Sequence, residues 1–241
     1  MATGAPLERS QSAPPAVDDP LAGLEEPVRR YLGRAIASGA GGAPGVRIAM
    51  HGRIKLGPWV PFTATLETDG SRLRWRAELG PGPLTLLSVT DSYAGGHGSQ
   101  RFDLAGRIAL KTVEGADVDR SAAGRTALEA IFAPISLLPG PGLGWSAASD
   151  SEIIFTRDLA PERTAVHLRI DDEGLLEEVW ALRWGKAGRG QHAYIPMGSV
   201  IHRSETFGAL TVPVEFRAGW WFGTPRFEPF FEARIDSLAR A

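Results

Sequence analysis

From residue 46 onward the chain alternates apolar and polar side chains with a period of two. No other feature restricts the fold as much. In RIAMHGRIKL (47–56), Ile48, Met50, Ile54 and Leu56 share one face, with Arg47, His51, Arg53 and Lys55 on the other. WVPFTATLE (59–67) sets Val60, Phe62, Ala64 and Leu66 against Trp59, Thr63, Thr65 and Glu67. RLRWRAEL (72–79) sets Leu73, Trp75, Ala77 and Leu79 against Arg72, Arg74, Arg76 and Glu78. Successive strand residues point to opposite faces, so the pattern describes an antiparallel sheet with one buried and one solvated face. TDGS (68–71) and DEG (172–174) read as hairpin turns. Further strands are expected at about 84–93, 99–112, 151–158, 163–170, 175–184, 193–205, 209–217 and 229–236.

Two segments change to helical spacing. In 21–37, Leu21, Leu24, Val28, Tyr31, Leu32, Ala35 and Ile36 recur at intervals of three and four, with Pro27 suited to a first turn. In 117–138, Val118, Ala122, Leu128, Ile131, Phe132 and Ile135 form a stripe behind Asp117, a candidate N-cap. LLPGPGLG (137–144) stops it. The expected fold is mainly β: a strongly curved antiparallel sheet, half-barrel or barrel-like, of about ten strands with two principal helices. Its concave face is expected to hold Phe62, Trp75, Phe102 and Phe155. Residues 21–241 are expected to form one β-rich domain, with helix 117–138 packed on the sheet.

Residues 1–20 hold Pro, Ser and Ala with few large apolar groups, too little to offset the entropy of ordering, and are expected to be disordered. They lack a basic start and a continuous apolar run, so a secretory signal is not expected and the cytoplasm is the expected compartment. No apolar run approaches the roughly 20 residues of a membrane-spanning helix. The net charge of −2 offers no bulk attraction for nucleic acid or anionic lipid. The absence of cysteine removes disulfides, thiolate metal sites and a cysteine nucleophile.

Motifs that grip a cofactor or metal are absent, with no GxxxxGK[ST], no strand-linked GxGxxG and no HExxH, and the missing GxSxG weakens a serine-hydrolase reading. No cofactor is therefore expected. No two of His51, His97, His167, His192 and His202 have local metal spacing, so no metal site is expected either. His97 stands apart. It lies between Gly96 and Gly98 in DSYAGGHGSQRF (91–102), where a ligand can approach, with Asp91, Tyr93 and Arg101 near in sequence. His97, Tyr93 and Asp91 are the candidate proton-transfer set, against the plainer reading of a glycine-rich turn. If His97 faces away from any pocket, Tyr194 and His192 come next.

Arg125 and Glu129, four apart beside the apolar stripe, are a candidate ion pair. It either anchors the helix or presents charge to a cavity. The seven tryptophans either fill a core or line a pocket for an apolar ligand. Trp180 and Trp184 are placed on one face with Leu176 and Leu182. Candidate ligand-binding residues are Phe62, Trp75, Phe102, Arg125, Glu129, Trp180, Tyr194 and Trp220.

The C-terminal third carries a resemblance. Ile195-Pro196 with Gly198, Thr206-Phe207-Gly208, Val212-Pro213, Gly219-Trp220-Trp221, and Phe230-Phe231 before Ile235 resemble the closing segment of a family of bacterial proteins catalogued as a domain of unknown function. VRRYL (28–32), Trp59 with Pro61-Phe62-Thr63-Ala64, Trp75 with Ala77, Asp91-Ser92-Tyr93, and Arg125 through Glu129 to Pro134 fit as well. The resemblance spans about 24–240 and departs at His97 and at Ala130–Phe132. It implies a curved antiparallel sheet wrapped around a helix, similar to bacterial lipid-carrier half-barrels, and supplies no activity. The leading expectation is a protein that binds an apolar small molecule or lipid-like ligand in the cavity of that sheet. The alternatives are a cofactor-independent cyclase or isomerase using the same cavity, and a structural protein with a solid core.

Overall fold

The computed structural model describes residues 19–82, 84–188 and 190–241. The expected disorder over 1–20 lies, up to residue 18, outside the described residues. The alternating segments do form strands. β1 (Val46–Lys55), β2 (Trp59–Thr68), β3 (Leu73–Leu79), β4 (Leu87–Ala94), β5 (His97–Leu104) and β6 (Ile108–Val113) make one antiparallel meander. β7 (Leu143–Ala147), β8 (Glu152–Leu159), β9 (Glu162–Ile170), β10 (Leu176–Lys186), β11 (His192–Phe207), β12 (Leu210–Trp220) and β13 (Glu228–Arg240) make a second. Pairing of β1 with β13 fuses them into a single sheet, β6 at one edge and β7 at the other.

The described residues contain thirteen strands, more than the ten or so expected. Segment 99–112 is two strands, β5 and β6. Ala105 (φ 50°) and Gly106 (φ 68°) both take the left-handed conformation that a tight hairpin needs, and alanine gives no advance signal of it. β7 is five residues long at an edge, too short for alternation to reveal.

Helix α1 (Glu26–Ala35) starts later than the expected 21, with Pro27 in its first turn, and buries Val28, Tyr31, Leu32 and Ala35 along one stripe. Burial pushes the Tyr31 hydroxyl well above the usual tyrosine range. Helix α2 (Ala116–Glu129) ends earlier than the expected 138 and passes into 3-10 turns at Ala130–Phe132 and Pro134–Leu137. Pro134 explains the break: it has no N–H to donate, and its ring bars the preceding residue from helical angles.

The sheet curls into a half-barrel. Helix α2 touches β4 and β5 on one flank and β8, β9 and β10 on the other. These strands lie on opposite sides of β1 in the sheet order, so one helix can reach both only across a curled surface. The flanks also meet directly. The Tyr93 hydroxyl donates to the Ala160 carbonyl at 2.5 Å, joining the β4 tip to the β8–β9 turn. Arg157 of β8 donates to the Ser136 carbonyl at 2.8 Å, and Gly70 of the β2–β3 turn packs against the Ser136 side chain and the Arg157 guanidinium.

Candidate functional site

Between the concave face and helix α2 lies a cavity of about 1010 Å³. Met50, Leu66 and Trp75 wall it from the first meander, and Met197, Phe216 and Trp220 from the second. The roof is α2, through Asp117, Val118, Ser121, Arg125, Leu128 and Glu129. Their spacing of three to four residues places them along one side of the helix. The other side carries Ala123, Gly124, Thr126 and Ala127, small buried residues that let the helix lie close to the sheet.

Two glycines set this geometry. A Cβ on Gly98 of β5 would stand 2.6 Å from the Ala122 Cβ and 2.7 Å from the Val118 carbonyl oxygen, so only glycine seats α2 there. The Gly98 N–H donates to Asp119 Oδ1 at 2.7 Å, which fixes the helix on that strand. A Cβ on Gly185 of β10 would stand 2.5 Å from the Trp220 ring, so glycine admits the indole to the wall.

The cavity is mostly apolar; Lys111, Glu114, Asp117 and Lys186 line it at exposed positions, and a largely buried charged cluster lies in its wall. Arg125 Nε donates to Glu129 Oε1 at 2.6 Å, and its Nη1 donates to Asp91 of β4. The guanidinium stands 5.1 Å over the Trp75 ring. Burial pulls the Arg125 pKa down, but the Glu129 and Asp91 carboxylates outweigh it and hold the group above the usual arginine value. Arg183 of β10 donates to the Ser121 carbonyl at 2.9 Å and to its hydroxyl at 3.1 Å. Burial, with a smaller contribution from Arg125, lowers it to about 10, so it stays charged at neutral pH. Two cations and two carboxylates thus balance in the wall. Trp75 and Asp91 are cross-strand partners, and Trp75 Nε1 and Asp91 Oδ1 are buried without a hydrogen-bond partner.

Of the candidate ligand-binding residues, Trp75, Phe102, Arg125, Glu129 and Trp220 line the cavity. Phe62 sits behind the wall, stacked on Phe231 at 5.0 Å between centroids. Phe155 is fully buried against Trp145, 5.2 Å between centroids. Trp180 points away from the cavity and stacks on His167 at 3.9 Å. A register shift between Leu176 and Glu178 reverses the face of every later β10 residue, so Leu176 is buried while Leu182 is 52% exposed. The same reversal hid Arg183, which strict alternation from Leu176 puts outside.

The structure does not bring His97, Tyr93 and Asp91 together. Asp91 lines the cavity and is tied to Arg125. Tyr93 is buried and engaged with Ala160, and burial raises its hydroxyl pKa. His97 opens β5 opposite Ala94, exposed, on the face away from Tyr93. Tyr194 also lies outside, in a cluster around Arg120 of α2. Arg120 donates to Glu162 Oε1 and to the Tyr194 hydroxyl, each at 2.6 Å, and the Tyr194 hydroxyl donates to Glu162 Oε2 at 2.6 Å. The Arg120 guanidinium lies 3.7 Å over the Trp184 ring. His192 does line the cavity, with Nδ1 3.4 Å from Asp117. Among the described residues, no three His, Asp or Glu side chains gather as a metal site, and no helix is long and apolar enough to cross a membrane.

A curled antiparallel sheet, roofed by a helix over an apolar cavity with one neutralised charge cluster, defines the class of half-barrel proteins with an internal pocket. The chain belongs to a family of unknown function (DUF6920), whose model matches residues 22–239. No curated protein matches the sequence. Among solved structures it is similar to a LolA superfamily protein from Nitrosomonas europaea, with 7% identity and a TM-score of 0.46 over 89% of this chain and 92% of that one.

Proposed function

We propose that this protein binds an apolar small molecule or lipid-like chain inside the curled sheet. The cavity carries the reading. Protein interiors pack to crystal-like density and leave few voids larger than a water molecule. A space of about 1010 Å³ is instead at the top of the roughly 300–1,000 Å³ range of ligand pockets. Its walls are mostly hydrocarbon and aromatic, with Trp75, Phe102 and Trp220 offering broad apolar surface. The catalytic alternative has less support. Of the cavity's carboxylates, Asp91 and Glu129 are occupied by Arg125 and Asp117 accepts from Trp184 Nε1 beside His192, and His97 stands outside. A structural protein with a solid core has no use for the space.

Native mass spectrometry of freshly purified protein tests the proposal. We expect a bound species that organic extraction removes, or uptake of the apolar dye N-phenylnaphthylamine by the emptied protein. Ser199→Trp, which puts an indole into the cavity, should abolish both while leaving the fold intact by circular dichroism. Protein that carries nothing and takes up no dye would refute the reading.

A further inference from the structure

The mouth of the cavity lies where lining side chains also reach solvent. Leu56, 54% exposed, and Leu110, 55% exposed, both line the cavity, and both belong to the first meander. Antiparallel turns alternate ends, so the β1–β2, β3–β4 and β5–β6 turns share one end of that meander. Backbone bonds tie them side by side. Ala105 N–H donates to the Leu86 carbonyl at 3.1 Å, and Gly80 N–H to the Pro61 carbonyl at 3.0 Å. Leu84 (64%), Leu86 (57%), Leu104 (45%) and Ile108 (61%) are exposed at the same turns. Six of the eight exposed large hydrophobic residues among those described therefore stand at one rim. Soluble surfaces scatter such residues singly, and a gathered set marks a contact site.

The rim also has local charge. Arg107 in the β5–β6 turn and Lys111 in β6 are exposed and have no carboxylate partner among the described residues, whereas Lys55 pairs with Glu228 and Arg101 with Asp103. Exposed cations without a carboxylate partner among the described residues occur elsewhere too, as at Arg29, Arg34, Arg74 and Arg217, but Arg107 and Lys111 are the two that flank the exposed leucines and Ile108.

We propose that this rim docks on the surface of a lipid bilayer. The exposed leucines and Ile108 enter the headgroup–acyl boundary while Arg107 and Lys111 meet anionic headgroups. The cavity mouth then faces the hydrocarbon, and an apolar chain moves between bilayer and cavity without crossing water. A second copy fits this rim less well, because a two-fold contact sets the same patch on both partners and brings the unpaired cations together. The idea that cargo passes at this point rests on the proposed binding reading; the docking itself is tested separately.

The full chain is floated with vesicles of phosphatidylcholine alone or mixed with phosphatidylglycerol. We expect co-flotation with the anionic vesicles, weakened by salt, and weaker binding to the neutral ones. The double variant Leu84→Ser/Ile108→Ser, at positions that do not line the cavity, should lose vesicle binding by roughly tenfold or more. Its uptake of N-phenylnaphthylamine from solution should match wild type. Wild-type protein that takes up dye but does not float overturns the docking and leaves the binding reading standing. Flotation without dye uptake does the opposite. A wild-type dimer that the double variant splits assigns the rim to a second copy and overturns the proposal.

Discussion

Arg120 and Arg125 leave helix α2 five residues apart, and each meets a carboxylate and an aromatic ring. Arg125 points into the cavity, to Glu129, Asp91 and the Trp75 ring. Arg120 points outward, to Glu162, Tyr194 and the Trp184 ring. The ingredients match; access to water does not. Arg125, Asp91 and Glu129 side chains are 16%, 15% and 21% exposed; outside, Arg120 is 31% and Tyr194 46% exposed, and only Glu162, at 9%, is buried. When Arg120 is removed outside, Glu162 keeps the Tyr194 hydroxyl as a donor and water reaches the space the guanidinium leaves. Inside, a carboxylate is left desolvated, and breaking such a pair costs far more than the pair ever contributed.

The largest expected effect comes from Arg125→Met, which strands two carboxylates in the cavity wall and should cost about 3 kcal/mol in urea unfolding. Adding Asp91→Asn and Glu129→Gln should recover most of that loss. A triple variant no more stable than the single one would show that burial is not what separates the two clusters.

Asp69, in the β2–β3 turn, is an intermediate case. Partial burial pushes its carboxyl up, but hydrogen bonds from Ser71 and Arg72 outweigh burial and hold it at about 2, below its ordinary 3.8. Because the folded pKa is the lower one, the contribution to stability is full above about pH 4 and is lost as pH falls from there toward 2. Asp69→Asn should lower stability across the neutral region, where the charged carboxylate contributes fully, and flatten the acid limb, so that the variant and wild-type curves converge toward pH 2. An identical acid limb in the variant would remove Asp69 from the account.

The smallest effect is expected from Arg120→Ala, a modest fall in the thermal midpoint that shrinks in 1 M salt, because the guanidinium is partly exposed and screened by ions while Glu162 keeps the Tyr194 hydroxyl. A loss as large as that of Arg125→Met, and insensitive to salt, would mean that the outer cluster is as dry as the inner one.

Residues 46–79 show how far alternation could be read. Ile48, Leu66, Leu73 and Trp75 are buried as the period demands, and the curled antiparallel sheet follows from such segments. The Arg125–Glu129 pair was visible too, since four residues make one helical turn. Asp91, the third member of its cluster, was picked out for the wrong neighbours. It lies 34 residues from Arg125, and only the curl that carries β4 under α2 joins them. Trp180 was misplaced because one register shift in β10 reverses all later side chains, and a bulge leaves no mark in composition. The glycines beside His97 were read as room for a ligand. Gly98 is glycine because α2 lies against it, and the space was already taken by Ala122 and Val118.

The pairing of β1 with β13 fixes an order of events in folding. Every other neighbour in the sheet is a sequential hairpin, closed over a short loop. The β1–β13 ladder joins Val46 to Arg240 and must gather nearly the whole chain before its first bond forms. Loop-closure entropy makes so distant a contact slow, while local hairpins form early. The two meanders can therefore assemble as separate leaves, and the ladder at the centre of the finished sheet is the last to zip, which sets the pace for the whole.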